Sequence, residues 1–199
     1  MRSLRACAVV LPLLTGGACT VAPAPSASLP PDAIAGAGDG TRAAILGTAT
    51  AFATPAMLAN RPDEAARAVA QLEFLAVEVP HGPRWSGMSP NVATALVMAR
   101  NETRAALGIA PAASPQAVID QLYSAARALR SGDRAAAERS LSPEVFQAGG
   151  AETLRRLAAL PPLPSANNAA VLAQFELDRL DRLEDQGGGP GDGAAAGRS

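Results

Sequence analysis

Apolar residues recur along this chain at helical spacing. Between Asp63 and Val79, a wheel of about 100° per residue puts Ala65, Val69, Leu72, Ala76 and Val79 on one face and Ala66, Ala70, Phe74 and Val77 on a second. Glu64, Arg67, Gln71 and Glu78 form the polar strip. A helix with two apolar faces is expected to be covered on both, so residues 62–78 belong at the centre of a bundle. Glu73 falls outside the polar strip, between the apolar faces, and is a candidate buried carboxylate. The next segment has one apolar face of Val92, Ala95, Leu96, Ala99, Ala106 and Leu107. The last, Asn167 to Glu184, has Val171, Leu172, Phe175, Leu177, Leu180 and Leu183 as its apolar set. It is too short for sustained heptads, so packing onto its own bundle is expected, with a partner-binding segment as the alternative.

The punctuation between these segments is helical too. Ser89-Pro90, Ser114-Pro115 and Ser142-Pro143 each place a capping oxygen before a proline at the first helical position, where no N–H is required. Thr54-Pro55 splits or kinks the first helical stretch. Gly108 and Gly132 are stops, Asp133 is a new cap, Gly149-Gly150 a break and Pro161-Pro162 an end. The helices expected are 42–59, 62–78, 90–107, 115–131, 133–141, 143–148, 151–160 and 166–184. No stretch alternates with period two between turns, so the class is all-α, a compact bundle of helical hairpins. Residues 125–141 (AARALRSGDRAAAERSL) resemble the helix-turn-helix core of a tetratricopeptide repeat. They cover about half of one repeat and no second copy follows at its period, which favours a single hairpin with small residues at its crossing.

The ends differ in composition. Residues 19–40 are rich in Pro, Ala and Gly and read as a disordered tether, and 186–199 read as a disordered tail, leaving 41–185 as the folded domain. Met1 to Arg5 is a positive start, Ala6 to Leu14 an apolar run, and TGGA supplies small residues before Cys19. Residues 1–18 are therefore a secretory signal peptide, too short to span a membrane. At Cys19 the pattern resembles the bacterial lipoprotein lipobox, which implies lipidation of that cysteine. Gly16 stands where the box usually has a large aliphatic residue, and ordinary cleavage after Ala18, giving a soluble periplasmic protein, is the alternative. The two cysteines are Cys7 and Cys19; loss of the first with the signal and acylation of the second leaves no free thiol in an oxidising compartment. Thr20, by resemblance to enterobacterial lipoproteins, implies the outer membrane.

Composition narrows the chemistry. All 17 basic residues are arginine, which removes every site built on a lysine amine, and a net charge of -1 gives no reason to expect nucleic acid. No Gly-rich phosphate loop, metal-ligand spacing or cofactor motif is present, and no cofactor is expected. The single histidine and single tryptophan share one Gly/Pro-broken loop, VPHGPRWSGMSP, with His81, Arg84 and Trp85 as a candidate interaction loop. Its residues Pro80, Gly82, Pro83 and Gly87 are expected to exclude helix. Trp85 either folds back as a plug over the hairpin end or stands out as an anchor for a partner. Glu73 needs a cationic neighbour, and Arg100 and Arg104, four apart on one flank of the next helix, supply two. They form either an internal bridge or an anion site, since guanidinium binds carboxylate and phosphate as a bidentate fork. No catalytic constellation is identifiable around His81. The expectation is an exported, lipid-anchored envelope protein acting as a non-catalytic interaction or structural module, with an envelope protein as partner. The alternative is a periplasmic binding protein for a small anionic ligand.

Overall fold

The computed structural model describes residues 25–33 and 38–187. The expected signal peptide, Cys19 and residues 188–199 of the expected tail lie outside the described residues. The chain forms α1 (Gly40–Ala53), α2 (Pro62–His81), α3 (Pro90–Leu107), α4 (Pro115–Arg130), α5 (Arg134–Ser140), α6 (Gly150–Ala158) and α7 (Pro164–Gly187). Among the described residues there is no strand, only an isolated bridge between Ile109 and Phe146. The class is all-α.

Two of the three Ser-Pro pairs start helices. The Ser89 hydroxyl accepts from the Asn91 N–H at 3.3 Å and the Ser114 hydroxyl from the Ala117 N–H at 3.2 Å, ahead of α3 and α4. The third does not. Residues 143–148, expected as a helix, form turns in which the Val145 and Phe146 N–H groups donate to the Ser142 carbonyl at 3.1 and 2.7 Å. This segment instead crosses to the α3–α4 linker: the Ala110 N–H donates to the Val145 carbonyl (2.8 Å) and the Gln147 N–H to the Gly108 carbonyl (3.0 Å). That pairing satisfies backbone groups a helix would have satisfied internally, and it drives Phe146 fully into the core.

The first expected helix, 42–59, ends at Ala53, because Thr54-Pro55 opens a short 3-10 turn, Pro55–Met57. The second is longer than expected and runs through Pro80 to His81. A proline in the last turn disturbs little that follows it, and the His81 Nδ1, donor in the tautomer this carbonyl requires, reaches the Val77 carbonyl at 2.9 Å. Between α4 and α5, Gly132 takes the left-handed conformation (φ 79°) and the Asp133 carboxylate caps the Ala136 N–H at 2.8 Å, closing the hairpin expected over 125–141.

The two-faced helix is central: every residue from Ala68 to Val77 is buried, and α1, α3, α4 and α6 all pack on it. Across α1 and α3 lies α7, tied at both ends. The Asn167 amide donates to the Phe52 carbonyl at the end of α1 (2.8 Å), and Asp181 pairs with Arg42 at its start. Glu102 of α3 accepts from the Ser165 and Ala166 N–H groups at the start of α7 (3.2 and 2.9 Å), where a carboxylate also meets the positive end of the helix dipole. Reciprocally, Glu176 of α7 accepts from the Ser89 N–H at the start of α3 (3.0 Å).

Part of the expected tether is docked. Residues 25–33 lie on α4, where the Ser28 N–H donates to the Gln116 side chain (2.8 Å) and the Gln116 amide donates back to the Ser28 carbonyl (3.2 Å). Ala33 is buried and Asp32 pairs with Arg127 at 3.2 Å. One amide side chain thus stands in for a neighbouring strand, which composition alone does not reveal. The expected tail likewise begins later than residue 186, since α7 includes Gln186 and Gly187.

Candidate functional site

The loop after α2 resolves in favour of packing. Pro83–Trp85 form a 3-10 turn that folds the indole inward, leaving Trp85 only 5% exposed within the core beside Met88. The Arg84 guanidinium sits 5.4 Å from the indole centroid and pairs with Asp39 at 2.7 Å, clamping the loop to the start of α1. His81 and Arg84 are exposed, but the indole is not available as an anchor. Of the two readings of the candidate loop His81, Arg84 and Trp85, the indole takes that of a plug over the α2–α3 junction, while His81 and Arg84 stay at the surface.

Glu73 and Arg104 meet, as the wheel anticipated. Glu73 is 1% exposed, and both its oxygens are engaged: Arg104 Nε donates to one at 3.1 Å and Nη2 to the other at 2.5 Å. The same guanidinium donates to the Ala113 carbonyl at 3.1 Å, so the bridge also fixes the α3–α4 linker. Arg100 does not join it. Its Nε is buried without a hydrogen-bond partner among the described residues, and neither arginine lines the α1–α2 groove, the α3–α7 groove or the small cavity beside Phe52. Of the two readings of Glu73, Arg100 and Arg104, the internal bridge is the one formed, through Arg104 alone.

Two surface features lie outside these residues. The first is on α7, which buries Ala166, Ala169, Ala170, Ala173 and Leu177 and turns outward Val171 (51% exposed), Phe175 (60%) and Leu183 (53%). Leu172 faces Met98 and Ala95 of α3 across a groove of about 250 Å³, and Met98 is itself 59% exposed. Of the six aromatic residues, Phe52, Phe74, Phe146, Trp85 and Tyr123 are buried and Phe175 alone faces water. The alanine spacing i, i+3, i+4, i+7 from Ala166 was the signal that could have identified the buried face.

The second feature is a groove of about 380 Å³ between α1, α2 and the turn joining them, with Arg61, Glu64, Arg67 and Gln71 on one side and Leu46 and Met57 on the other. Sequence patterning assigned Glu64, Arg67 and Gln71 to the polar strip of α2. A third, smaller cavity of about 70 Å³ lies among Phe52, Leu58 and Leu163 and is apolar. Burial pushes the Tyr123 hydroxyl up from its ordinary pKa, with the Arg67 charge opposing. On the surface of α6, hydrogen bonds from Arg155 and Arg156 lower the Glu152 carboxyl to about 2.

No cluster of three or more potential metal ligands, and no helix long and apolar enough to cross a membrane, occurs among the described residues. No family model, curated protein or solved structure matches this chain.

Proposed function

We propose that this chain is an exported, lipid-anchored protein of a Gram-negative cell envelope whose helical domain acts as a non-catalytic interaction module. The observation that carries the reading is the inversion of α7: small side chains face in, while Val171 and Phe175 face out beside Leu172 and Met98. Contiguous exposed apolar residues on a folded domain mark surfaces that another molecule covers. The partner is an envelope protein presenting an apolar face, and the acylated Cys19 keeps the domain at the membrane where that partner resides.

A photo-reactive amino acid replacing Phe175 in the full chain tests this in cells. The expected result is one discrete adduct at position 175 and none at Arg134, an equally solvent-facing control on α5 whose side chain is 62% exposed. Equal labelling at both positions, or at neither, overturns the interaction surface. Separately, Cys19→Ser is expected to release the protein from sedimented membranes, and unchanged retention overturns the anchor.

A further inference from the structure

We infer that the groove between α1 and α2 is a binding site for a small amphiphilic monoanion, a carboxylate carrying a short apolar chain. The site shares no residue with the α3–α7 groove and stands independently of the interaction surface.

Its floor is built rather than incidental. Gln71 is 7% exposed, yet its side chain lines the groove. Room for its amide depends on Gly47 of α1, where an added Cβ would come within 2.6 Å of the Gln71 Oε1. The Gln71 amide and the Arg61 and Arg67 guanidiniums share this wall of the groove.

The charge balance selects a monoanion. Arg61 and Arg67 flank Glu64 at 3.5 and 3.9 Å, so two guanidiniums share one carboxylate and a single positive charge remains. The opposite wall selects the rest of the ligand. Leu46 (43% exposed) and Met57 (48%) reach past Ala51, Leu58 and Ala68 toward solvent and suit an apolar chain leading away from the head group. A volume of about 380 Å³ is at the lower end of small-molecule sites, which run from roughly 300 to 1,000 Å³.

Titrating the full chain with sodium octanoate and, in parallel, 1-octanol, followed by amide NMR shifts, tests the assignment. Octanoate is expected to shift residues 46–51 and 64–71 saturably, with octanol binding at least about tenfold more weakly because it lacks the charge-assisted bonds. Arg67→Gln, a half-buried position making one long ion pair, is expected to weaken octanoate by about tenfold with the fold intact. Gly47→Ala, which places a methyl group against the Gln71 amide, is expected to do the same by occlusion. Absence of saturable shifts in the groove, equal binding of alcohol and acid, or wild-type affinity in a folded Arg67→Gln variant would each overturn the site. If Gly47→Ala fails to fold, the Arg67→Gln comparison decides.

Discussion

α2 and α7 are the two longest helices among the described residues, 20 and 24 residues, and they differ in the size of the side chains they bury. α2 buries Val69, Leu72, Phe74 and Leu75 together with alanines such as Ala66 and Ala70, whereas α7 buries Ala166, Ala169, Ala170 and Ala173 with Leu177 as the one large apolar side chain among them. Helices surround α2, so side chains of any size find space on every side. α7 rests across only two helices, and its alanines let it settle close against both, with backbone groups locking its ends. Hydrophobicity alone does not decide which face is buried; the width of the space offered does. Val171, Phe175 and Leu183 of α7 are then left outside, where a partner can reach them.

The sharpest way to break this contrast is at the charge inside α2. Glu73→Ala leaves the Arg104 guanidinium, with a side chain 12% exposed, without its counter-charge and loosens the hold on Ala113. Removing one member of a buried pair typically costs about 3–5 kcal/mol. Urea unfolding followed by Trp85 emission measures it, starting from a blue-shifted native signal protected from iodide. A loss below about 1 kcal/mol would mean that α2 is not organised around this bridge.

The next test falls on the packed face of α7. Ala170 is fully buried, and Ala170→Leu forces extra methylenes into a close helix contact, with an expected loss of about 1–3 kcal/mol. Thermal unfolding reads it. A neutral result would show room at that contact and remove the explanation given for the inverted face.

How far each helix was legible follows from the same contrast. α2 was readable as a central helix because its two apolar faces required cover on both sides, and the stray Glu73 pointed to its arginine. Helix starts at Ser89 and Ser114 were readable because capping is local chemistry. Ser142 has the same local sequence, but its turn is set by pairing with Gly108 and Ala110, more than 30 residues away, which no local pattern encodes. The same holds for residues 25–33, whose order depends on Gln116. The inward face of α7 was misassigned because ranking residues by apolar size favours Val171 and Phe175 over alanine. Of the candidate sites, Glu73 with Arg104 was legible; the α1–α2 groove was not, since it depends on Gly47 and Gln71 meeting from separate helices.

A smaller effect separates the ends of α7 from its middle. Hydrogen bonds from Arg179 and from the Ser89 N–H hold the Glu176 carboxyl below its ordinary value of 4.5. Its folded pKa is depressed, so its contribution is complete above pH 4.5 and is lost as pH falls through the folded value. Wild-type stability should therefore decline on acidification below that point more steeply than that of Glu176→Gln. Parallel acid limbs in the two proteins would show that the clamp between α7 and the start of α3 does not depend on this charge.

The smallest stability effect is expected where the functional consequence is largest. Val171→Ser with Phe175→Ser removes two side chains that are 51% and 60% exposed, so unfolding free energy should stay within about 0.5 kcal/mol for each substitution. If the outward face serves a partner, the double variant folds as the wild type does and no longer recovers the envelope protein crosslinked at position 175. A destabilisation of more than about 2 kcal/mol would instead mean that these side chains support the bundle. α7 would then resemble α2, and the contrast from which the interaction surface was inferred would disappear.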